Sequence, residues 1–163
     1  MSEKLQALGL TFAALYAAAY AAQSARVSLK YFSATEFGIW WPLLNPDLLL
    51  ALDEFRERLG VPVVISPAEG AIGRLSGREG SQHLPRPMVN AIDVMPVGVS
   101  LERAYQVARE VGFTGIGLYP DWQPRPGIHL DMRPGRKPEN PALWSMRLVG
   151  GNQKMFSIER GFV

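Results

Sequence analysis

The sequence predicts an α+β domain, and three observations carry that prediction. The readable elements run helix, strand, loop, strand, helix, strand, strand, an order that suits a mixed sheet with helices packed on one face. Two short runs, Asn90–Met95 and Gly127–Met132, alternate apolar and polar residues, as strands with one buried and one open face do. The polar positions of those runs are Asp93, His129 and Asp131, and the other of the chain's 2 histidines, His83, stands just before the first run.

The elements follow in order. Residues Leu5 to Ala25 carry no charge and are rich in alanine, the strongest helix former, so they predict a helix. Its small residues, among them Ala13, Ala14, Ala17, Ala18, Ala21 and Ala22, permit close packing on another helix. Lys4 is offset by Glu3, and Ala22-Gln23-Ser24 is only a fair cleavage site, so a removed signal is the weaker reading. The helix reads as an anchoring or docking segment that contacts other protein chains or a membrane. It sets residues 1–26 apart from a domain over 27–163, with Ala25 to Lys30 as a short linker.

Tyr31 to Trp41 is aromatic-rich and is expected to lie along the domain, packing Phe32, Phe37, Trp40 and Trp41 onto it. Asn45 caps a helix whose first position is Pro46. Leu48, Leu49, Leu52, Phe55 and Leu59 form its buried stripe, and Gly60 ends it. Val63 to Ser66 is a β-branched apolar run and predicts a central strand. Residues 66–82 hold Gly70, Gly73, Gly77 and Gly80, a loop able to curl over a site. Ser100 caps a second helix with Leu101, Ala104, Val107, Ala108 and Val111 on its apolar side. Gly115–Tyr119 and Gly127–Met132 are strands joined by a wide loop through Pro120–Pro124. Trp144 to Val149 returns as a further strand, and the tail from Gly150 gives no clear pattern.

Composition narrows the function classes. With 163 residues, 47% of them hydrophobic and 20% charged, the chain has the make-up of one globular domain with a short appendage. The absence of cysteine excludes disulfides and thiolate metal ligands. A net charge of +2, without a dense lysine and arginine run, argues against nucleic acid as a partner.

The chemistry lies in the polar faces. In a strand, residues two apart share a face, so His129 and Asp131 point the same way, opposite to Ile128, Leu130 and Met132. Asp93, flanked by Ile92 and Val94, points to the polar side of its own strand, and His83 can lean over that side. Two imidazoles and one carboxylate are three zinc ligands with a fourth position open, the pattern of catalytic sites. The bland alternative is that a lone strand histidine is a hydrogen-bonded structural residue. Asp131 sits roughly 7 Å along the strand from His129, which keeps it out of coordination but within reach of a water on the metal. It then serves as general base, or it pairs with Arg133 or Arg136. Arg74 is a candidate for holding a substrate carbonyl or carboxylate, or it is a surface arginine of a glycine loop. Ser81 reads as a second layer of support, and Tyr119 and Trp122 as cleft lining or packing.

Ser81-x-His83, Ala91-x-Asp93 and His129-x-Asp131 together resemble the zinc peptidases that cut peptidoglycan stem peptides. These are the D-Ala-D-Ala carboxypeptidases and L-Ala-D-Glu endopeptidases, including phage endolysins and the vancomycin-resistance peptidases. Tyr31–Phe37 also resembles the segment that opens such domains, so the likeness runs from about Tyr31 to Trp144. The chain departs from the pattern in two places. Leu84–Val89 lengthens the gap between His83 and Asp93, and Ser66-Pro67-Ala68-Glu69 replaces the family's S-G-Y-R, leaving Arg74 or Arg78 as the nearest arginine.

The resemblance implies a small, mainly antiparallel sheet with zinc on its open face, bound by His83, Asp93 and His129. It implies proton transfer by Asp131 and a peptidoglycan peptide as substrate. It places the protein in the periplasm, the cell envelope or a virion. The alternative is a catalytically silent structural or cell-wall-binding virion component that keeps the peptidase fold.

Overall fold

The computed structural model describes residues 3–162, with side chains from Thr11 onward. Leu5, Leu8 and Leu10, expected on the first helix, have side chains outside the described residues. The fold is α+β, with a six-stranded mixed sheet, three α-helices and two short 3-10 segments. The helices are α1 (Glu3–Arg26), α2 (Pro46–Leu59) and α3 (Leu101–Val111). The strands are β1 (Val63–Ile65), β2 (Ala91–Pro96), β3 (Gly115–Tyr119), β4 (Gly127–Asp131), β5 (Ala142–Val149) and β6 (Asn152–Phe156). Their order across the sheet is β1-β2-β4-β3-β5-β6.

The helix ends follow the local chemistry. The Asn45 side chain accepts the Asp47 N–H at 2.9 Å, and the Ser100 hydroxyl accepts that of Arg103 at 3.1 Å. Both α2 and α3 end on a left-handed glycine, Gly60 and Gly112. Their apolar stripes cover one face of the sheet. Leu48, Leu52 and Phe55 of α2, with Ala104 and Val107 of α3, share one core with Ile92, Val94, Ile116, Leu118, Ile128 and Leu130 of the strands. Phe55 meets the edge of Phe113 at 6.1 Å between ring centres. With that face sealed by helices, every second strand residue is turned to the other, open face.

The sheet is not purely antiparallel. β4 ends at Asp131, opposite Gly115 at the start of β3, and β5 begins at Ala142, beside the same Gly115. Residues 132–141 therefore only carry the chain past that end of β3, and β5 runs parallel to it. β6 then folds back on β5 with Val149 opposite Asn152, so the turn is Gly150-Gly151. Both glycines have positive φ, 60° and 79°, the type I′ geometry that matches strand twist.

The aromatic segment before α2 is part of the core. It forms a 3-10 stretch, Ala34–Leu43, with Phe37 and Trp41 buried and their rings 5.7 Å apart. The end of α1 packs on it. Gln23 is buried and donates to the Leu44 carbonyl at 2.8 Å, Trp41 Nε1 donates to Ser24 Oγ at 3.0 Å, and Tyr20 lies 6.3 Å from the Trp41 ring. Val27, expected in a linker, is only 4% exposed. Among the described residues no helix is long and apolar enough to cross a membrane.

Candidate metal centre

The open face of the sheet gathers the polar side chains. β2 and β4 are antiparallel neighbours, and their register sets Asp93 opposite His129. Side chains directly opposite start about 4.5–5.5 Å apart at Cβ, close enough for a carboxylate to meet an imidazole. Asp93 Oδ1 lies 2.8 Å from His129 Nδ1. His83 arrives from the long loop between β1 and β2. Its Nε2 is 3.2 Å from His129 Nδ1 and 3.4 Å from Asp93 Oδ1.

That loop is fastened at several backbone points. Asp93 N–H donates to the Ala71 carbonyl at 2.8 Å, Arg74 N–H to the His83 carbonyl at 3.0 Å, and Asn90 N–H to the Gln82 carbonyl at 2.8 Å. His83 is thus held between two segments that are themselves tied to β2, and it is almost completely buried.

One oxygen and two nitrogens form a triangle with edges of 2.8, 3.2 and 3.4 Å. Tetrahedral zinc with bonds of about 2.0–2.1 Å spaces its ligand atoms by about 3.3 Å. The donor set is also the right one: borderline nitrogen and hard oxygen, three in number, facing a cleft. The residues present therefore fit a zinc ion.

The nitrogens that face away are also fixed. His83 Nδ1 is 3.3 Å from the Ile72 carbonyl, and His129 Nε2 is 2.9 Å from Asp131 Oδ2. Metal-binding histidines usually donate their second N–H to a carbonyl or carboxylate, which sets the tautomer and the ring orientation. Both histidines have that partner.

Asp131, expected from the sequence as a base or as an arginine's partner, stands behind His129. It is fully buried, on the far side of the His129 ring from the triangle. Arg133 Nε donates to both its oxygens, at 2.9 and 3.1 Å, and the Arg133 backbone N–H adds a bond of 3.1 Å to Oδ1. Two residues along the strand put it on the site face, beside the Nε2 edge of His129. Of the two arginines open to it in the sequence, Arg133 is the partner.

Charge and burial oppose each other here. Burial works against an ionised Asp93, but hydrogen bonds from His129 and His83 outweigh it and hold the pKa at about 2. Burial likewise works against the Asp131 carboxylate, and bonds from Arg133 and His129 bring it to about 2. Burial pushes the His129 imidazolium down, yet Asp131 and Asp93 on its two nitrogens lift it to about 9. Without metal, the two carboxylates thus clamp a protonated ring.

Two glycines of β3 make the arrangement possible. Gly115 and Gly117 share the site face, and Gly117 stands opposite His129. A Cβ on Gly115 would lie 2.3 Å from the Asp131 carboxylate oxygens, and one on Gly117 would lie 2.3 Å from Trp144 Cε2. Trp144, from β5, fills the space over Gly117 with its ring centre 5.1 Å from that of His129. The Arg133 guanidinium sits 5.2 Å over the Trp144 ring.

The triangle opens into a cleft of about 530 Å³. Arg74, Arg78, Glu79 and Ser81 line it on the loop side, and Tyr119 and Trp144 on the sheet side. Ser81 acts through its backbone: its N–H donates to Arg78 and its carbonyl accepts from Leu84, a turn that leads into His83. Trp122 stacks behind Tyr119 at 4.0 Å. Sequence reasoning missed Trp144 as a site residue, and it weighed Arg133 only as a partner for Asp131. The signals available were the alternate glycines of β3, which mark a close approach, and an arginine two residues beyond Asp131.

A family model described as Peptidase M15 matches residues 18–131, a span that contains His83, Asp93, His129 and Asp131. No curated protein and no solved structure matches the chain.

Proposed function

Because the chain belongs to the peptidase M15 family, we propose that it is a zinc-dependent peptidase that hydrolyses the stem or cross-link peptides of peptidoglycan. The observation that carries this reading is the donor triangle of His83, Asp93 and His129, with the far nitrogen of each histidine already engaged. These three residues would hold the metal. Bound zinc activates a water and polarises a carbonyl.

The chain's own residues supply the rest. Asp131 holds the His129 ring in one orientation and keeps its Nε2 protonated, so that Nδ1 is the donor turned to the cleft. Arg133 keeps Asp131 ionised and in place. Arg74 and Arg78 bring positive charge to the loop side of the cleft, suited to the carboxylates of stem peptides. Work on peptidoglycan places the protein in the cell envelope or in a phage particle.

The test is hydrolysis itself. Protein purified without chelator is incubated with isolated peptidoglycan, and newly freed amino groups are counted. Release should occur, stop on chelation and return with zinc. No release at full zinc occupancy would overturn the reading.

A further inference from the structure

We propose that Tyr119 is a catalytic residue: its hydroxyl donates a hydrogen bond to the carbonyl oxygen of the scissile peptide bond as negative charge builds there. The inference rests on the peptidase reading above and adds a residue to it.

Tyr119 is the last residue of β3 and lies on the site face. Gly117 stands opposite His129, so Tyr119 is the diagonal neighbour of that histidine, about 7–8 Å away along the sheet. Its direct partner across the strands is Gly127, whose missing side chain leaves room for Trp122 beside the phenol. Tyr119 lines that cleft together with all three residues of the donor triangle.

The hydroxyl is aimed. Trp144 Nε1, which can only donate, gives its N–H to Tyr119 Oη at 3.2 Å. A phenol has one proton to give, and the indole has used a lone pair. Among the described residues no side chain or carbonyl accepts that proton. The ring itself cannot swing. Trp122 stacks on it at 4.0 Å with 21° between planes, and Trp122 is seated where a Cβ on Gly127 would stand 2.3 Å from its Cε3. Two indoles thus fix one phenol, and the proton they leave free belongs to a group at the wall of the cleft. Burial raises the phenol pKa, so the group stays a donor at neutral pH.

Such a fixed donor acts where charge develops. The bond to a neutral carbonyl is weak, and it strengthens as that oxygen becomes an oxyanion. No proton leaves Tyr119, and its hydrogen bond relaxes when the carbonyl re-forms on cleavage. If the residue served packing alone, phenylalanine would fill the same stack.

The test uses zinc-loaded Tyr119→Phe with two ligands and a rate assay. Removing one donor of this kind typically lowers kcat by about 10²–10³-fold, and KM should change little. A peptide phosphinate, which mimics the tetrahedral oxyanion, should bind the variant more weakly by a similar factor. The product peptide should bind as it does to wild type, and zinc content and melting temperature should be unchanged. Trp144→Phe, which frees the phenol but keeps it, should lower kcat by much less. Wild-type kcat in Tyr119→Phe, or equal weakening of phosphinate and product, would overturn the proposal while leaving the peptidase reading intact. A wild-type protein that neither cleaves peptidoglycan nor binds the phosphinate would remove both.

Discussion

His129 Nε2 and Asp131 Oδ2 lie 2.9 Å apart, on the side of the imidazole that faces away from Asp93 and His83. Two residues spaced for one strand face thus divide the work: one offers a donor atom to the cleft, the other holds it from behind.

This relationship predicts how Asp131→Asn behaves. Loss of a hydrogen-bond partner behind a ligand typically costs about 10–100-fold in metal affinity. The amide also turns N–H groups towards Arg133, which has only N–H groups to return. Zinc should therefore bind more weakly, by chelator competition, and hydrolysis should recover when zinc is raised to saturation. A rate still about 10²–10⁴-fold low at full occupancy is the outcome for a lost general base, and it would restore Asp131 to that role.

The glycines of β3 give an independent handle on the same geometry. Gly115→Ala places a methyl group where the Asp131 carboxylate stands, and Gly117→Ala places one in the Trp144 ring. Forced overpacking of this kind costs typically about 1–3 kcal/mol. The two should differ in what else they lose. Gly115→Ala displaces the support of His129, so zinc affinity falls together with melting temperature. Gly117→Ala disturbs Trp144 and should lower melting temperature with a smaller effect on zinc. Equal zinc affinity in both variants and wild type would show that neither glycine positions the site.

Much of this is legible in the sequence, and the reason is periodicity. Alternation along 128–132 fixes the face of His129 and Asp131 whatever the neighbouring strands are, and capping residues mark α2 and α3 locally. What escaped depends on pairings distant in sequence. Trp144 reaches the site because β5 lies parallel to β3, in register with Gly117, and no local pattern announces that partner. Alternation assigns Asp131 its face and leaves Arg133 or Arg136 as partner, but the room its carboxylate takes depends on the bare Cα of Gly115 on a neighbouring strand. The β5–β6 hairpin was in principle readable from Gly150-Gly151, a turn signal between two strand-length runs.

The boundary between the first helix and the domain is a further point of test. A chain starting at Ser28 lacks Gln23, Ser24 and Val27. Trp41 Nε1 and the Leu44 carbonyl then lose their partners, and a buried apolar contact goes with them. Each unsatisfied buried group costs about 1–3 kcal/mol. The truncated chain should melt well below the full chain. Equal melting temperatures for the full chain and the chain from Ser28 would make α1 an appendage.

The last prediction concerns pH. In the metal-free protein His129 carries a proton up to about pH 9, because the pull of Asp131 and Asp93 outweighs burial. Zinc must displace that proton from Nδ1, so binding releases protons and strengthens with pH. Between pH 6.5 and 9 the apparent affinity should rise about tenfold per pH unit, the slope for one proton released, and flatten above. Competition with a chelator of known affinity, at intervals across that range, reads the slope. Stability should follow the same group with a defined sign. A histidine whose folded pKa is raised stabilises the fold fully below its unfolded value of 6.5, and this contribution is lost as pH rises through about 9. Metal-free protein should therefore melt lower at pH 9.5 than at pH 6.5, and zinc-loaded protein should lack that loss, since the metal stands where the proton stood. A zinc affinity independent of pH over this range would mean that the ring is neutral without metal, and the two-carboxylate clamp on His129 would have to be abandoned.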